Sequence, residues 1–155
     1  MQDKPWYEDV VIPALLRHAR TTYGKAMRSA LEEAGYDDIP ANGLYVIGGL
    51  ALSDRDVPLR QLVHELGITK QGAGQLVDAL VSRGYLARTP DKTDRRQLIV
   101  TLTDRGRAAA EVQKKARERI DRELLERIGE DDVRSMRRGL GTLIDMRREE
   151  AESRE

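Results

Sequence analysis

Cysteine is absent from this 155-residue chain, which excludes disulfides and thiolate metal sites. His18 and His64 are the only histidines and lie far apart in sequence, so no histidine-built zinc site is expected. No apolar run is long enough to span a membrane. The opening residues, Met1-Gln2-Asp3-Lys4-Pro5, lack the charged and then apolar layout of a secretory leader, so a cytoplasmic location is expected. Gly43, Gly48 and Gly49 have neither the spacing of a phosphate loop nor the Lys-Ser/Thr that follows one. No nucleophile elbow or catalytic carboxylate pair stands out. Catalysis, a cofactor and a metal are therefore not expected, and 39% hydrophobic residues at this length suit a single domain over 1–155.

Net charge is missing too, since 27 Lys and Arg balance 27 Asp and Glu. The balance conceals a segregation. Residues 1–58 hold 6 cations against 9 anions, residues 59–107 hold 9 against 5, and residues 108–155 hold 12 against 13. The middle segment is the basic one, and a local basic face is what contact with nucleic-acid phosphates requires.

That segment is also the most informative. Leu62, Leu66, Ile68, Leu76, Val77 and Leu80 fall at spacings that let two short helices share one core. Gly67 stands between them, where a tight turn favours a residue tolerant of left-handed backbone. Thr69 is an expected N-cap, so the second helix is predicted from about Lys70 to near Arg83, with Gly84 as its stop. The β-rich runs Tyr85–Thr89 and Gln97–Leu102 flank a polar tip, Pro90–Arg96, and predict a hairpin. Helix, turn, helix and basic-tipped hairpin form the layout of a winged helix-turn-helix, which places one helix in a DNA major groove.

Leu-Gly-Ile-Thr-Lys-Gln at 66–71, Leu-Val-Asp-Ala-Leu at 76–80, Arg-Gly-Tyr-Leu at 83–86, Asp-Lys-Thr-Asp-Arg-Arg at 91–96 and Leu-Thr-Asp-Arg-Gly at 102–106 carry a family resemblance. The chain resembles the MarR family of bacterial transcription regulators, and the wing motif is its most specific part. The resemblance implies a mainly α fold with a small β-hairpin. A winged helix-turn-helix lobe at about 39–103 would lie between dimerisation helices at about 5–35 and 104–150.

The flanks have the required periodicity. Ile12, Leu15, Leu16, Ala19, Tyr23, Ala26, Met27, Leu31 and Ala34 make one stripe, ending near Gly35. After Thr103, a second N-cap, Ala109, Val112, Ala116, Ile120, Leu124 and Ile128 run to Gly129. A last helix is expected from Asp131 or Asp132, carrying Val133, Met136, Leu140, Leu143 and Ile144. These stripes can pack within the chain or build an intertwined homodimer. The second is favoured, because one small lobe covers long terminal helices poorly. Two-fold symmetry then spaces the recognition helices about 34 Å apart and predicts a pseudo-palindromic operator.

On the second helix Thr69, Lys70, Gln71, Gln75 and Asp78 lie outside the apolar stripe. Gln71 and Gln75, one turn apart, are the candidates for reading bases, since a glutamine amide pairs with adenine in bidentate fashion. Lys70 and Thr69 are candidates for phosphate. A merely solvated polar face is the alternative. Gly72 and Gly74 depart from the family's pattern, each costing about 1 kcal/mol of helix propensity relative to alanine. They either permit close approach to DNA or leave the helix frayed until DNA orders it.

In the wing, Arg95 is the candidate for the minor groove, where narrow A·T stretches concentrate negative potential. The family pattern assigns Asp94 and Arg96 to holding the tip, with Arg96 also counted in the DNA-binding surface, and Lys92 and Arg88 are candidates for phosphate. The resemblance further implies a small aromatic or phenolic effector in a crevice between the lobe and the dimer helices. Trp6, Tyr7, Arg17, His18, Arg20, Tyr23 and Tyr45 are candidate lining residues, with ordinary helix packing as the alternative. The expected function is a DNA-binding repressor. The alternative is a winged-helix protein-interaction module without DNA specificity.

Overall fold

The structure, a computed structural model, describes residues 3–53, 57, 58, 61, 64 and 67–154. A 3-10 turn at Trp6–Asp9 leads into helix α1 (Ile12–Glu33). Helix α2 (Gly43–Leu52), strand β1 (Val57–Pro58) and helix α3 (Lys70–Ser82) follow. The hairpin strands are β2 (Leu86–Pro90) and β3 (Leu98–Leu102), and the chain ends in helices α4 (Asp104–Ile128) and α5 (Glu130–Glu152). The mainly α winged arrangement expected from the sequence is therefore present. Leu62 and Leu66, assigned above to the helix before the turn, lie outside the described residues, although Gln61 and His64 are helical.

The sheet has three strands in the order β1-β3-β2, both pairings antiparallel. Strand β1 was not foreseen. It has two residues, pairs Val57 with Val100 and Pro58 with Ile99, and offers too short a run to show alternation. It is an edge strand, where proline's missing amide hydrogen is tolerated.

Contacts divide the chain into two compact units, Met1–Arg117 and Glu118–Glu155. The first holds one core, drawing Met27 and Leu31 from α1, Leu44, Val46, Ile47 and Leu50 from α2, Val77 and Leu80 from α3, and Leu86, Val100 and Leu102 from the hairpin. Ala109, Ala110 and Ala116 of α4 close it. The expected α1 stripe is buried only at its C-terminal end; Ile12 and Leu16 are exposed.

The helix ends follow the sequence punctuation. Thr103 Oγ accepts the Gly106 amide hydrogen at 3.0 Å and caps α4. Helix α5 starts at Glu130, one residue before the earliest expected start, because Gly129 serves both helices. Its left-handed backbone (φ 83°) lets its amide close α4 on the Leu125 carbonyl, at 2.9 Å. Its own carbonyl accepts from Val133 at 3.2 Å and opens α5. Glu130, Asp131 and Asp132 then occupy the first turn, where the helix dipole favours carboxylates.

Candidate nucleic-acid interface

Helix α3 is built to show one face. Ala73, Val77 and Leu80 are fully buried, and the same winding leaves Gln71, Gln75 and Asp78 exposed. Thr69 caps the start, its hydroxyl accepting from the Gly72 amide at 3.0 Å. The end is a Schellman turn, in which the Gly84 amide bonds to the Val81 carbonyl at 3.0 Å and the Tyr85 amide to the Leu80 carbonyl at 2.9 Å.

Tyr85 thus leaves the strand expected for it and becomes a fully buried post at the foot of α3. Helix α1 ends in the same turn, placing Tyr36 as the counterpart of Tyr85, with its amide 2.8 Å from the Leu31 carbonyl. The two rings meet edge to face at 6.2 Å, and the Arg105 guanidinium lies 5.3 Å from the Tyr36 centroid and 4.6 Å from that of Tyr85. The Tyr85 hydroxyl donates to the Asp38 carboxylate. Arg105 donates to the Tyr85 oxygen at 3.0 Å and to Asp38 at 3.4 Å, and Arg83 donates to the Asp38 carbonyl at 2.5 Å. Burial and the bond to Asp38 push the Tyr85 pKa up to about 12. The tyrosine hydrogen bond is the main reason the Asp38 carboxyl lies below its ordinary range. This cluster pins the C-terminal end of α3 to the segment before α2 and to the first turn of α4.

The wing is fastened to the same helix. Arg88 on β2 forms an ion pair with Asp78 on α3, and its Nε is buried without a hydrogen-bond partner among the described residues. Arg88 therefore already has an intramolecular role beside the phosphate contact expected for it. At the tip, the Asp91 amide bonds to the Gln97 carbonyl and the Gln97 amide to the Asp94 carbonyl, both at 2.9 Å. The Asp91 carboxylate accepts from the Thr93 amide and hydroxyl, each at 2.9 Å, and these bonds lower its pKa. Asp94 accepts from the Arg96 amide at 3.1 Å and from its Nε at 3.4 Å. Lys92, Arg95 and Arg96 project from this tip and are exposed, as are Thr69 and Lys70 at the start of α3.

The structure brings only part of the expected effector set together. The Arg20 guanidinium lies 4.3 Å above the Tyr45 ring, and Tyr23 packs against the core. Trp6 makes an edge contact with Tyr7, while Arg17 and His18 are exposed on α1. A crevice of ≈ 590 Å³ opens elsewhere, between the end of α2, strand β3 and α4. Leu50, Val100 and Leu102 line it with Arg107, Lys114 and Arg117, and none of the expected residues does. Among the described residues there is no group of acidic or histidine side chains that could hold a metal, and no helix long and apolar enough to cross a membrane.

Residues 38–97 match the model of the MarR family. That stretch is similar to the MarR family. The MarR-type architecture extends over most of the chain in solved structures. FabT of Streptococcus pneumoniae in complex with DNA has a TM-score of 0.75 at 21% identity, covering 89% of this chain and 96% of its own. The transcriptional repressor CouR, bound to a 23-mer DNA duplex, gives 0.71 at 25%, over 93% and 99%. MepR of S. aureus in complex with DNA gives 0.74 at 17%, over 89% and 99%. No curated protein is similar to the chain by sequence.

Sequence reasoning missed Asp38, Tyr36, Tyr85 and Arg105 as a unit, and the Asp78–Arg88 pair. A tyrosine directly after two of the helix-stopping glycines, Gly35-Tyr36 and Gly84-Tyr85, was the available signal.

Proposed function

We propose that this chain is a sequence-specific DNA-binding transcription regulator that acts as a homodimeric repressor on a pseudo-palindromic operator. The carrying observation is the exposed face of α3, with Gln71 and Gln75 outward, on a helix tied through Asp78 and Arg88 to a wing whose tip exposes Lys92, Arg95 and Arg96. Gln71 and Gln75 read base edges, Thr69, Lys70 and Lys92 take phosphates, and Arg95 enters the minor groove beside Arg96, which Asp94 steadies. The DNA-bound state of FabT, CouR and MepR supports the reading. A second copy is supported by α5, on which Met136, Leu140, Leu143 and Ile144 are all exposed. Release by a small organic anion is the remaining part of the proposal, acting through differential affinity for two dimer spacings.

The test is capture of DNA from a fragmented pool of the source genome across a salt series, beside a Gln75→Ala, Arg95→Ala double variant. Enrichment of one pseudo-palindromic site, weakened by salt and by the variant, is expected. Enrichment of nothing at low salt, or of a site the variant binds equally well, would overturn the proposed contacts and favour a protein-interaction module.

A further inference from the structure

Helix α3 carries two glycines near its start, Gly72 and Gly74, and their surroundings differ. A Cβ at Gly72 would stand 3.0 Å from Thr69 Oγ, the atom that accepts the Gly72 amide hydrogen. At Gly72, then, a side chain would press on the cap oxygen by a few tenths of an ångström. A Cβ at Gly74 would meet no described atom within 4 Å. Gly74 shares the outward stripe of Gln71, Gln75 and Asp78, at spacings of three, four and seven residues from Gln71, away from the buried Ala73, Val77 and Leu80. Its backbone is ordinary helix, without positive φ. Neither conformation nor packing among the described residues calls for glycine there, and helix propensity opposes it.

We infer that Gly74 is a specificity-determining position of the DNA interface, where the 5-methyl group of a thymine occupies the space a side chain would take. The inference rests on the DNA-binding reading above. Lacking a Cβ, glycine lets a helix backbone approach a ligand closely, and the methyl-sized apolar projection of the major groove is that of thymine. The neighbours agree. Gln71 and Gln75 carry amides suited to adenine N6 and N7, and each adenine is paired with a thymine. The polar readers and the gap thus select the same base pairs. A glycine that only loosened the helix until DNA ordered it would act in the opposite direction on substitution.

The experiment uses the full chain with Gly74→Ala, the operator recovered from the genomic pool, and operator variants in which deoxyuridine replaces thymidine one position at a time. Alanine should raise the unfolding temperature by roughly 2–4 °C and weaken operator binding about tenfold. One deoxyuridine substitution should restore most of the variant's affinity while weakening the wild type. Gly74→Ala binding as tightly as wild type, or more tightly, would overturn the inference in favour of a loosened helix. A loss that no deoxyuridine relieves would overturn the thymine assignment. A wild type that enriches no DNA defeats the functional reading itself and this inference with it, a result distinct from either of the others.

Discussion

Helix α3 buries Ala73, Val77 and Leu80 completely within its own unit, whereas none of the 23 residues of α5 is buried. Both helices carry apolar side chains at helical spacing. In α3 the apolar side is covered by the core of the first unit, so its polar side is left to act. In α5 Met136, Leu140, Leu143 and Ile144 remain 36–45% exposed, although full burial of each would contribute about 1.5–3 kcal/mol. The apolar stripe of α5 therefore keeps area whose burial would still stabilise it, and that of α3 does not. The contrast separates the surface expected to meet DNA from the surface expected to meet a second copy.

The strongest way to break that contrast is Leu140→Asp with Leu143→Asp. Two charges on the apolar stripe of α5 should raise the dimer dissociation constant by at least about a hundredfold, from the loss of roughly 3 kcal/mol or more of burial. Light scattering across a dilution series reads the change. Operator affinity should fall with it, since one half-site holds fewer contacts than two. A variant that remains dimeric would show that the stripe is not the interface.

Gly106→Ala attacks the other side of the comparison, the self-sufficient first unit. A Cβ there would lie 2.1 Å from the Tyr85 carbonyl oxygen and 2.9 Å from a Leu102 methyl, and neither backbone nor buried leucine can yield cheaply. Destabilisation of about 3 kcal/mol is expected, measured as a lower denaturation midpoint. Full stability in the variant would mean that α4 does not pack this closely on the foot of α3.

Tyr85→Phe tests the polar pin alone. It leaves the ring and removes the hydroxyl that joins Asp38 and Arg105, for an expected loss of about 1.5 kcal/mol. The sign of the pH effect follows from the raised pKa. Folding favours the neutral phenol, so this stabilisation is complete below pH 10 and is lost as pH rises towards about 12. Unfolding free energy measured from pH 9 to 12 should fall less steeply in the phenylalanine variant. Equal slopes would assign the alkaline loss to other groups.

Much of the first unit was legible because local punctuation marks it. Thr69 and Thr103 cap helices, Gly84 and Gly129 end them, and the two β-rich runs around Pro90–Arg96 form the hairpin. The cluster at the foot of α3 was not legible. Its bonds join residues 47 and 67 positions apart, and no periodicity reports which arginine reaches which carboxylate across that distance. Strand β1 was hidden for the opposite reason, being too short to have a pattern. The exposed stripe of α5 could be read as apolar from the sequence, yet its lack of cover within its own unit is a fact of packing.

The smallest expected effect compares how the two helices begin. Thr69 supplies a side-chain oxygen to the first turn of α3, while α5 starts from Gly129 without a side-chain cap and with three acidic residues in its first turn. Thr69→Ala should therefore cost about 1 kcal/mol, and Thr69→Ser or Thr69→Gly should recover most of it, because serine supplies the acceptor and glycine is itself a favourable N-cap. The same substitutions separate two uses of one residue. If Thr69 serves only as a cap, operator affinity follows stability, and both replacements restore both. If the hydroxyl also reaches a phosphate, as proposed, serine restores binding and glycine, which has no side-chain donor, restores only the melting temperature. Parallel thermal unfolding and operator titrations distinguish these outcomes, and full recovery of binding by glycine would remove Thr69 from the proposed contacts.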